Sequence, residues 1–306
     1  MKKCEMNCVK KSFFCFFALV AICTTVGFII EKVHVALTDG FSVGNITSNH
    51  VDHPLWDVPM LAGSDRDEIE QALTQEYKYL GKGHQAYAFE SADGRYVLKF
   101  LKFQVYSYHP IVNALPLPSS WSEALDKKLA HKGDKRDDVF RSWLLANGDL
   151  KDETGVIYIH INRKKEFDKT VQLYNKMGMS YRIPLDDYVF MVQRKAELIE
   201  KVFERSYKEN RIEDGKHLLD QMLSLYISEY ERGLAEKDKY IVRNTGVHDG
   251  KPMHIDTGRL SYAEELKDKS LQQPQLVWKT SVMMEWLAAE YPELADHLAT
   301  RLKELE

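Results

Sequence analysis

Cysteine is almost absent from this chain of 306 residues, and the position of the few that occur excludes two kinds of site. All four cysteines lie at the amino terminus, the last of them being Cys23. The rest of the chain can therefore hold neither a disulfide bond nor a zinc site built on cysteine.

The chain also lacks a Walker-type phosphate loop, because no G-x-x-x-x-G-K-[ST] string occurs in it. An excess of positive charge is missing too, since 42 Lys and Arg against 46 Asp and Glu give a net charge of −4. Nucleic acid is therefore not expected as a main ligand. Apolar residues are plentiful at 44%, so the chain can bury a sizeable core, and its length suggests two structural units.

The one long uncharged apolar run covers residues 13–30 and follows a short basic tail. Its 18 residues would span about 27 Å as a helix, which is just enough for the hydrocarbon core of a bilayer. A cleaved signal peptide is the alternative, and it would leave a secreted protein, but no small-x-small cleavage site follows the run. We interpret the run as an uncleaved signal anchor. Four lysines precede it and only Lys32 follows closely, which predicts a cytoplasmic amino terminus.

A glycine-rich turn and a strand lysine form the first chemical motif. The string Leu-Gly-Lys-Gly-His-Gln-Ala at positions 80–86 lies between two strand-like segments, and Asp93-Gly94 then predicts a hairpin turn. The next strand carries Lys99 among apolar residues. Glycines allow backbone amides to approach phosphate oxygens closely, and a lysine on the following strand can place a positive charge on them.

A second motif lies far downstream and supplies oxygen ligands. A hairpin is predicted around Asp249-Gly250, so that Asn244 and Asp256, twelve positions apart, should come close together. An amide oxygen and a carboxylate suit Mg²⁺, a hard cation that keeps other positions for phosphate and water.

In this order the motifs resemble those of the protein-kinase-like superfamily, over roughly residues 75–300. The matching residues are those of the glycine loop, the strand lysine, the loop asparagine and the DFG motif: Gly81, Gly83, Ala86, Lys99, Asn244, Asp256 and Gly258. The resemblance implies ATP bound between two lobes, with Mg²⁺ held by Asn244 and Asp256 and phosphoryl transfer to a hydroxyl group.

The chain also departs from the family pattern. The catalytic aspartate of the family stands five positions before the asparagine, where this chain has Lys239, and Asp238 lies one position further away. We take Asp238 as the base, which requires one extra residue in the loop. Thr257 replaces the family's phenylalanine, and the helix predicted over residues 135–150 offers no glutamate to pair with Lys99. These departures favour a small-molecule-kinase-like or degenerate member.

The fold expected from the resemblance is α+β, a two-lobed kinase-like fold with an antiparallel-sheet N-lobe and a helical C-lobe, preceded by the transmembrane helix. The segments are, in order, a basic tail (1–11), the signal anchor (12–30), a linker (31–64), the N-lobe (65–193) and the C-lobe (194–306).

Two functions are compatible with these residues. One is a membrane-anchored, ATP- and Mg²⁺-dependent phosphotransferase with an unknown acceptor. The other is a pseudokinase that binds nucleotide or a protein partner and acts as a scaffold.

The apolar run makes a direct prediction about extraction from membranes. The full chain should resist carbonate extraction, whereas a truncated chain that begins near residue 35 should be recovered in the soluble fraction. Recovery of a mature protein whose amino terminus lies beyond residue 30 would instead demonstrate cleavage of a signal peptide.

Overall fold

The first element is a long helix at the amino terminus. The structure is a computed structural model that describes residues 2–48, 50–107 and 119–305. Helix α1 (Lys2–Thr38) includes a stretch, Ala18–Thr38, that is long and apolar enough to cross a membrane and is not buried against the rest of the protein. The apolar helix expected from the sequence is thus confirmed; a signal sequence has the same length and composition.

The segment after α1 packs against the folded domain. A short helix, α2 (Val43–Ile46), is capped by the Ser42 hydroxyl, which accepts a hydrogen bond from the Asn45 amide. Phe41 is completely buried, and its ring meets the ring of Phe89 at a centroid distance of 5.0 Å. This differs from the linker expected over residues 31–64. A few large apolar side chains in a mostly polar segment find partners on the sheet.

A seven-stranded mixed sheet is the centre of the fold. In chain order its strands are β1 (Glu76–Lys82), β2 (Ala86–Ser91), β3 (Tyr96–Leu101), β4 (Val156–His160), β5 (Thr170–Tyr174), β6 (Ser180–Pro184) and β7 (Phe190–Arg194). Their spatial order is β4-β7-β3-β2-β1-β5-β6. The β1–β5 pair is parallel and the other pairs are antiparallel, so the expectation of an antiparallel sheet is corrected by one pair.

The parallel pair comes from a hairpin that the sequence did not reveal. Strands β5 and β6 form this hairpin at one edge of the sheet. Both strands are short, and only alternate residues of β5 are buried, which gives a weak sequence pattern. The other turns agree with expectation: Asp93-Gly94 joins β2 to β3, and Gly94 has the positive φ of 70° that the turn requires.

Helices pack on both faces of the sheet and form most of the remaining chain. They are α3 (Gly63–Ala72), α4 (Phe103–Tyr106), α5 (Ser119–Asn147), α6 (Lys151–Thr154), α7 (Ile199–Lys208), α8 (Ile212–Glu231), α9 (Ile241–Asn244), α10 (Lys269–Glu290) and α11 (Pro292–Glu304). The helix expected over residues 135–150 is the second half of α5.

Two small sheets lie among these helices. Strands β8 (Glu197–Leu198), β10 (Thr245–His248) and β11 (Lys251–His254) form one, and β9 (Leu234–Glu236) pairs with β12 (Leu260–Tyr262) in the other. The hairpin predicted at Asp249-Gly250 is confirmed, since both residues have positive φ between β10 and β11.

Alternation along the strands divides the core into two layers on the seven-stranded sheet. Leu98 and Phe100 belong to one hydrophobic cluster, and Leu101 and Met191 belong to another that includes α5. Because side chains of a strand alternate between faces, Lys99 lies on the α5 face. A third cluster holds α7, α8, α10 and α11 together.

The packed amino-terminal segment predicts an unequal response to truncation of its apolar side chains. Phe41→Ala should lower the free energy of unfolding by about 3–5 kcal/mol, because it removes a buried ring and leaves a cavity. Leu55→Ala is the matched control in the same segment; Leu55 is 68% exposed, and its truncation should cost no more than about 0.5 kcal/mol. Denaturant unfolding of the detergent-solubilised full chain measures both. Equal effects would contradict the packing.

Candidate functional site

Lys99 lies in the middle of β3, opposite Ala88 on β2 and Met191 on β7. Its ammonium group donates a very short hydrogen bond to the carbonyl oxygen of Ile255 and interacts electrostatically with Asp256. Burial lowers the pKa of Lys99 to about 8, and the negative charge of Asp256 opposes this shift. The lysine is therefore still mostly charged at neutral pH.

Asn244 and Asp256 come together at the base of the β10–β11 hairpin. The carbonyl oxygen of Asn244 accepts hydrogen bonds from the amides of Ile255 (2.8 Å) and Asp256 (3.4 Å). The amide nitrogen of the Asn244 side chain donates to Glu236 Oε1 at 3.4 Å. One carboxylate oxygen of Asp256 accepts from the Gly258 amide at 3.0 Å. The hairpin thus places Asp256 beside Lys99 and holds the Asn244 backbone against the backbone of Asp256.

These side chains could hold a divalent cation only with help from a ligand. Among residues 2–48, 50–107 and 119–305, no group of three or more His, Cys, Asp or Glu is arranged to bind a metal ion. Asn244 and Asp256 supply oxygen donors of the kind Mg²⁺ accepts, and Mg²⁺ in nucleotide sites takes its other ligands from phosphate and water. The donor set therefore fits Mg²⁺ bound together with a phosphate group.

The glycine loop has space above it. A Cβ atom added at Gly81 or Gly83 would meet nothing within 4 Å, and neither glycine has a positive φ. Neither crowding by protein atoms nor backbone strain accounts for these two glycines. The loop is closed by a hydrogen bond from the Gly83 amide to the Ala86 carbonyl oxygen at 3.0 Å, while Gly81 lies on β1 opposite Ala88 of β2.

Gln85 connects this loop to the segment that carries Asp256. Its side-chain amide donates to the Gly258 carbonyl oxygen at 3.4 Å, and a Cβ atom at Gly258 would lie only 1.6 Å from Gln85 Oε1. A larger residue at position 258 would require the Gln85 side chain to move away from this position. This contact could not be predicted from local sequence patterns, because 173 residues separate the two partners.

Asp238 lies on the loop between β9 and α9 and is engaged by neighbours. One of its carboxylate oxygens accepts from the Tyr240 amide at 3.0 Å, and the other lies 3.7 Å from the Arg259 guanidinium. Its side chain is only 16% exposed. A proton acceptor at this position must therefore work within an ion pair with Arg259.

Helix α5 contacts the Asp256 segment through a hydroxyl group. Ser142 donates to the Thr257 carbonyl oxygen at 2.5 Å and accepts from the Leu260 amide at 2.7 Å. Among the described residues, no carboxylate of α5 forms an ion pair with Lys99. The serine that links α5 to this segment was not predicted from the sequence.

A buried cluster of charged side chains contacts the loop between β9 and α9. Lys279 on α10 donates to Glu236 Oε2 at 2.6 Å, and both side chains are at most 2% exposed. The same ammonium donates to the carbonyl oxygens of Glu236 and Asp238. His254 lies between Glu236 and Glu229, at 3.6 and 2.6 Å. Burial opposes protonation of His254, but the two carboxylates outweigh it and raise its pKa.

This cluster fixes both ends of the candidate site, since Glu236 contacts Asn244 and Lys279 contacts the backbone at Asp238. The sequence signal available for this cluster was a lone lysine in the apolar part of a late helix.

Comparison with known proteins assigns the chain to no family, since no family model and no curated protein sequence matches it.

The Lys279–Glu236 pair predicts strong coupling between two substitutions. Lys279→Met and Glu236→Gln should each lower the free energy of unfolding by about 3–5 kcal/mol, because each leaves a buried charge without its partner. The double variant should cost clearly less than the sum. Denaturant unfolding of the four proteins gives the coupling energy.

An exposed pair on α8 is the matched control for this cycle. Lys216 and Glu213 also lie 2.7 Å apart, but Glu213 is 84% exposed, so Lys216→Met should change stability by no more than about 0.5–1 kcal/mol. Additive effects of the two buried substitutions would show that Lys279 and Glu236 do not stabilise each other.

Proposed function

We propose that this chain is a membrane-anchored, ATP- and Mg²⁺-dependent phosphotransferase with a two-lobed kinase-like fold. The observation that carries the proposal is the meeting of Lys99 with the distant Asp256, whose backbone amide donates to the Asn244 carbonyl oxygen at the base of the β10–β11 hairpin. A positive charge beside two oxygen ligands, under a glycine turn with open space, is what a magnesium nucleotide requires.

The connections around the site support the kinase-like arrangement. A glycine turn joins β1 to β2, the lysine follows on β3, and β7 leads from the large sheet towards the mainly helical part. The loop with Asp238 begins at β9, and Asp256 follows the β10–β11 hairpin. This order resembles the kinase order from the glycine loop to the DFG motif.

Each residue has a distinct role in the proposed reaction. Lys99 would neutralise phosphate oxygens, and Asn244 with Asp256 would hold Mg²⁺, which supplies charge stabilisation to the transferred group. Asp238 would accept the proton of the acceptor hydroxyl, or orient that hydroxyl, beside Arg259.

The acceptor is proposed to be small. Only ten residues separate Gly258 from the start of α10 at Lys269, and most of them belong to β12 and a short 3-10 helix (Glu264–Lys267). In the described chain, the stretch between Gly258 and α10 is therefore too short to form a binding surface for an extended peptide.

A pseudokinase is the second candidate, and specific contacts favour it. Lys99 is hydrogen-bonded to the Ile255 carbonyl oxygen, and Gln85 is hydrogen-bonded to Gly258. The Asp238 carboxylate forms an ion pair with Arg259. A protein that only binds nucleotide could keep these contacts, whereas phosphoryl transfer requires the loop and Asp238 to rearrange around substrate.

The site predicts a metal-dependent stabilisation by ATP. Mg²⁺ with ATP should raise the melting temperature of the full chain, and Asp256→Asn should weaken this binding at least roughly tenfold, because it removes the charge that faces the metal. Lys99→Met should weaken it too. Asp249→Asn is the control: it removes the same charge at the tip of the hairpin, where asparagine tolerates the φ of 49°.

Transfer separates the two candidates. Asp238→Ala should leave ATP binding nearly unchanged and abolish phosphoryl transfer or ATP hydrolysis. Metal-dependent ATP binding without any turnover in the wild-type chain would support the pseudokinase. A complete absence of ATP binding would refute the phosphotransferase and the nucleotide-binding pseudokinase, and would leave only a scaffold that binds a protein partner.

A further inference from the structure

The apolar surface of α1 continues to the foot of the folded domain. Val33, Val35 and Leu37 are 51%, 40% and 46% exposed, and the helix ends at Thr38. Glu31 and Lys32 interrupt the apolar surface, but their long side chains can extend to the headgroups. If a hydrocarbon core of ~30 Å begins at residue 13, Leu37 lies about 36 Å along the helix, roughly 6 Å beyond the core, and each headgroup layer is ~5–7 Å thick. The domain then begins within the headgroup layer.

The turn between β5 and β6 lies beside this junction. The Lys176 ammonium, in the turn, is 3.3 Å from a carboxylate oxygen of Asp39, the first residue after α1. Lys82, at the end of β1, donates to the Asp39 carbonyl oxygen at 2.9 Å. Tyr79 donates to the Asp39 carboxylate at 3.1 Å. These contacts fix the turn next to the end of α1.

Asn175 makes the turn rigid. Its side-chain oxygen accepts hydrogen bonds from the backbone amides of Met177 (3.0 Å) and Met179 (2.9 Å). Its backbone amide donates to the Met179 carbonyl oxygen at 2.9 Å. Gly178 adopts the positive φ of 79° that closes the turn. Asn175 itself is 4% exposed.

The same turn displays two methionines to solvent. Met177 is 52% exposed and Met179 is 46% exposed, although a buried asparagine holds the backbone beneath them. Lys176 in the turn and Lys82 at the end of β1 are 48% and 38% exposed, and both contact Asp39. Lys78, exposed on the same strand as Lys82, lies opposite Glu90 of β2. An apolar tip with a basic rim is the composition of a membrane-interface contact.

We propose that the 175–179 turn contacts the bilayer that α1 spans, with Met177 and Met179 entering the boundary between headgroups and acyl chains. Lys176, Lys82 and Lys78 face anionic lipid phosphates. The proposal rests on α1 as a membrane span, not on the nucleotide site, and it holds for either orientation of the helix. Continuity with α1 identifies lipid as the occupant, because Lys176 in the turn contacts Asp39, the residue that directly follows α1.

Spin labels in the full chain test the proposal. Single-cysteine variants Met177→Cys and Met179→Cys, with the native cysteines replaced by serine, are reconstituted in nanodiscs of phosphatidylcholine and phosphatidylglycerol. Accessibility to oxygen, which concentrates in lipid, is compared with accessibility to a water-soluble nickel chelate. Two control variants are labelled in the same way. One retains only Cys23, which is exposed on α1, and the other is Asp249→Cys, at a hairpin turn where the Asp249 side chain is 90% exposed.

The expected result is that labels at 177 and 179 favour oxygen, as the label at Cys23 does, while the label at 249 favours the nickel chelate. Labels at 177 and 179 that behave like 249, with Cys23 in lipid, would overturn the contact and leave the anchor intact. Shielding of 177 and 179 from both reagents would identify a protein occupant and also overturn it. A water-exposed Cys23 would reject the span and the contact together. None of these accessibility measurements depends on ATP binding.

Discussion

The buried ion pair between Lys279 and Glu236 is the interaction on which the candidate site depends. Removing two charges from water costs several kcal/mol per ion, and the cost is offset only when the geometry is good and the remaining donors are satisfied. Lys279 meets this condition with three oxygen acceptors. A hydrophobic pair of the same volume could stabilise the helices equally well, but it could not hold the backbone at Asp238. The pair is therefore better explained by positioning than by stability.

Lys99 shows a related balance on the sheet. Its neighbours along the strand, Leu98 and Phe100, are fully buried on the opposite face, so β3 is fixed firmly while its one charge is directed at the segment from Ile255 to Asp256. Burial disfavours the ammonium, and Asp256 favours it. A phosphate group close to Lys99 would add to the effect of Asp256 and favour the charged form further. Ligand binding and protonation of this lysine are thus linked.

Local patterns in the sequence were enough to predict the elements that depend on neighbouring residues. The turns at Gly94 and Gly250 follow from Asp-Gly pairs, and the apolar helix follows from composition. What could not be predicted depends on distant partners. Gln85 has no local reason to meet Gly258, and Phe41 sits in a segment whose average polarity hid its burial. The β5–β6 hairpin was missed because edge strands bury few residues and leave a weak alternation.

The amino-terminal segment is joined to the candidate site through α5. The His50 ring meets the Phe140 ring of α5 at 5.4 Å, and Trp56 meets the same ring at 5.3 Å. Two residues further along α5, Ser142 holds the Thr257 carbonyl oxygen next to Asp256. A chain that begins near residue 60 would lose the aromatic cover of α5, and with it part of the support for Ser142. Because the rings of His50 and Trp56 pack on the helix that holds the Thr257 carbonyl oxygen, these two residues support the candidate site from a distant part of the chain.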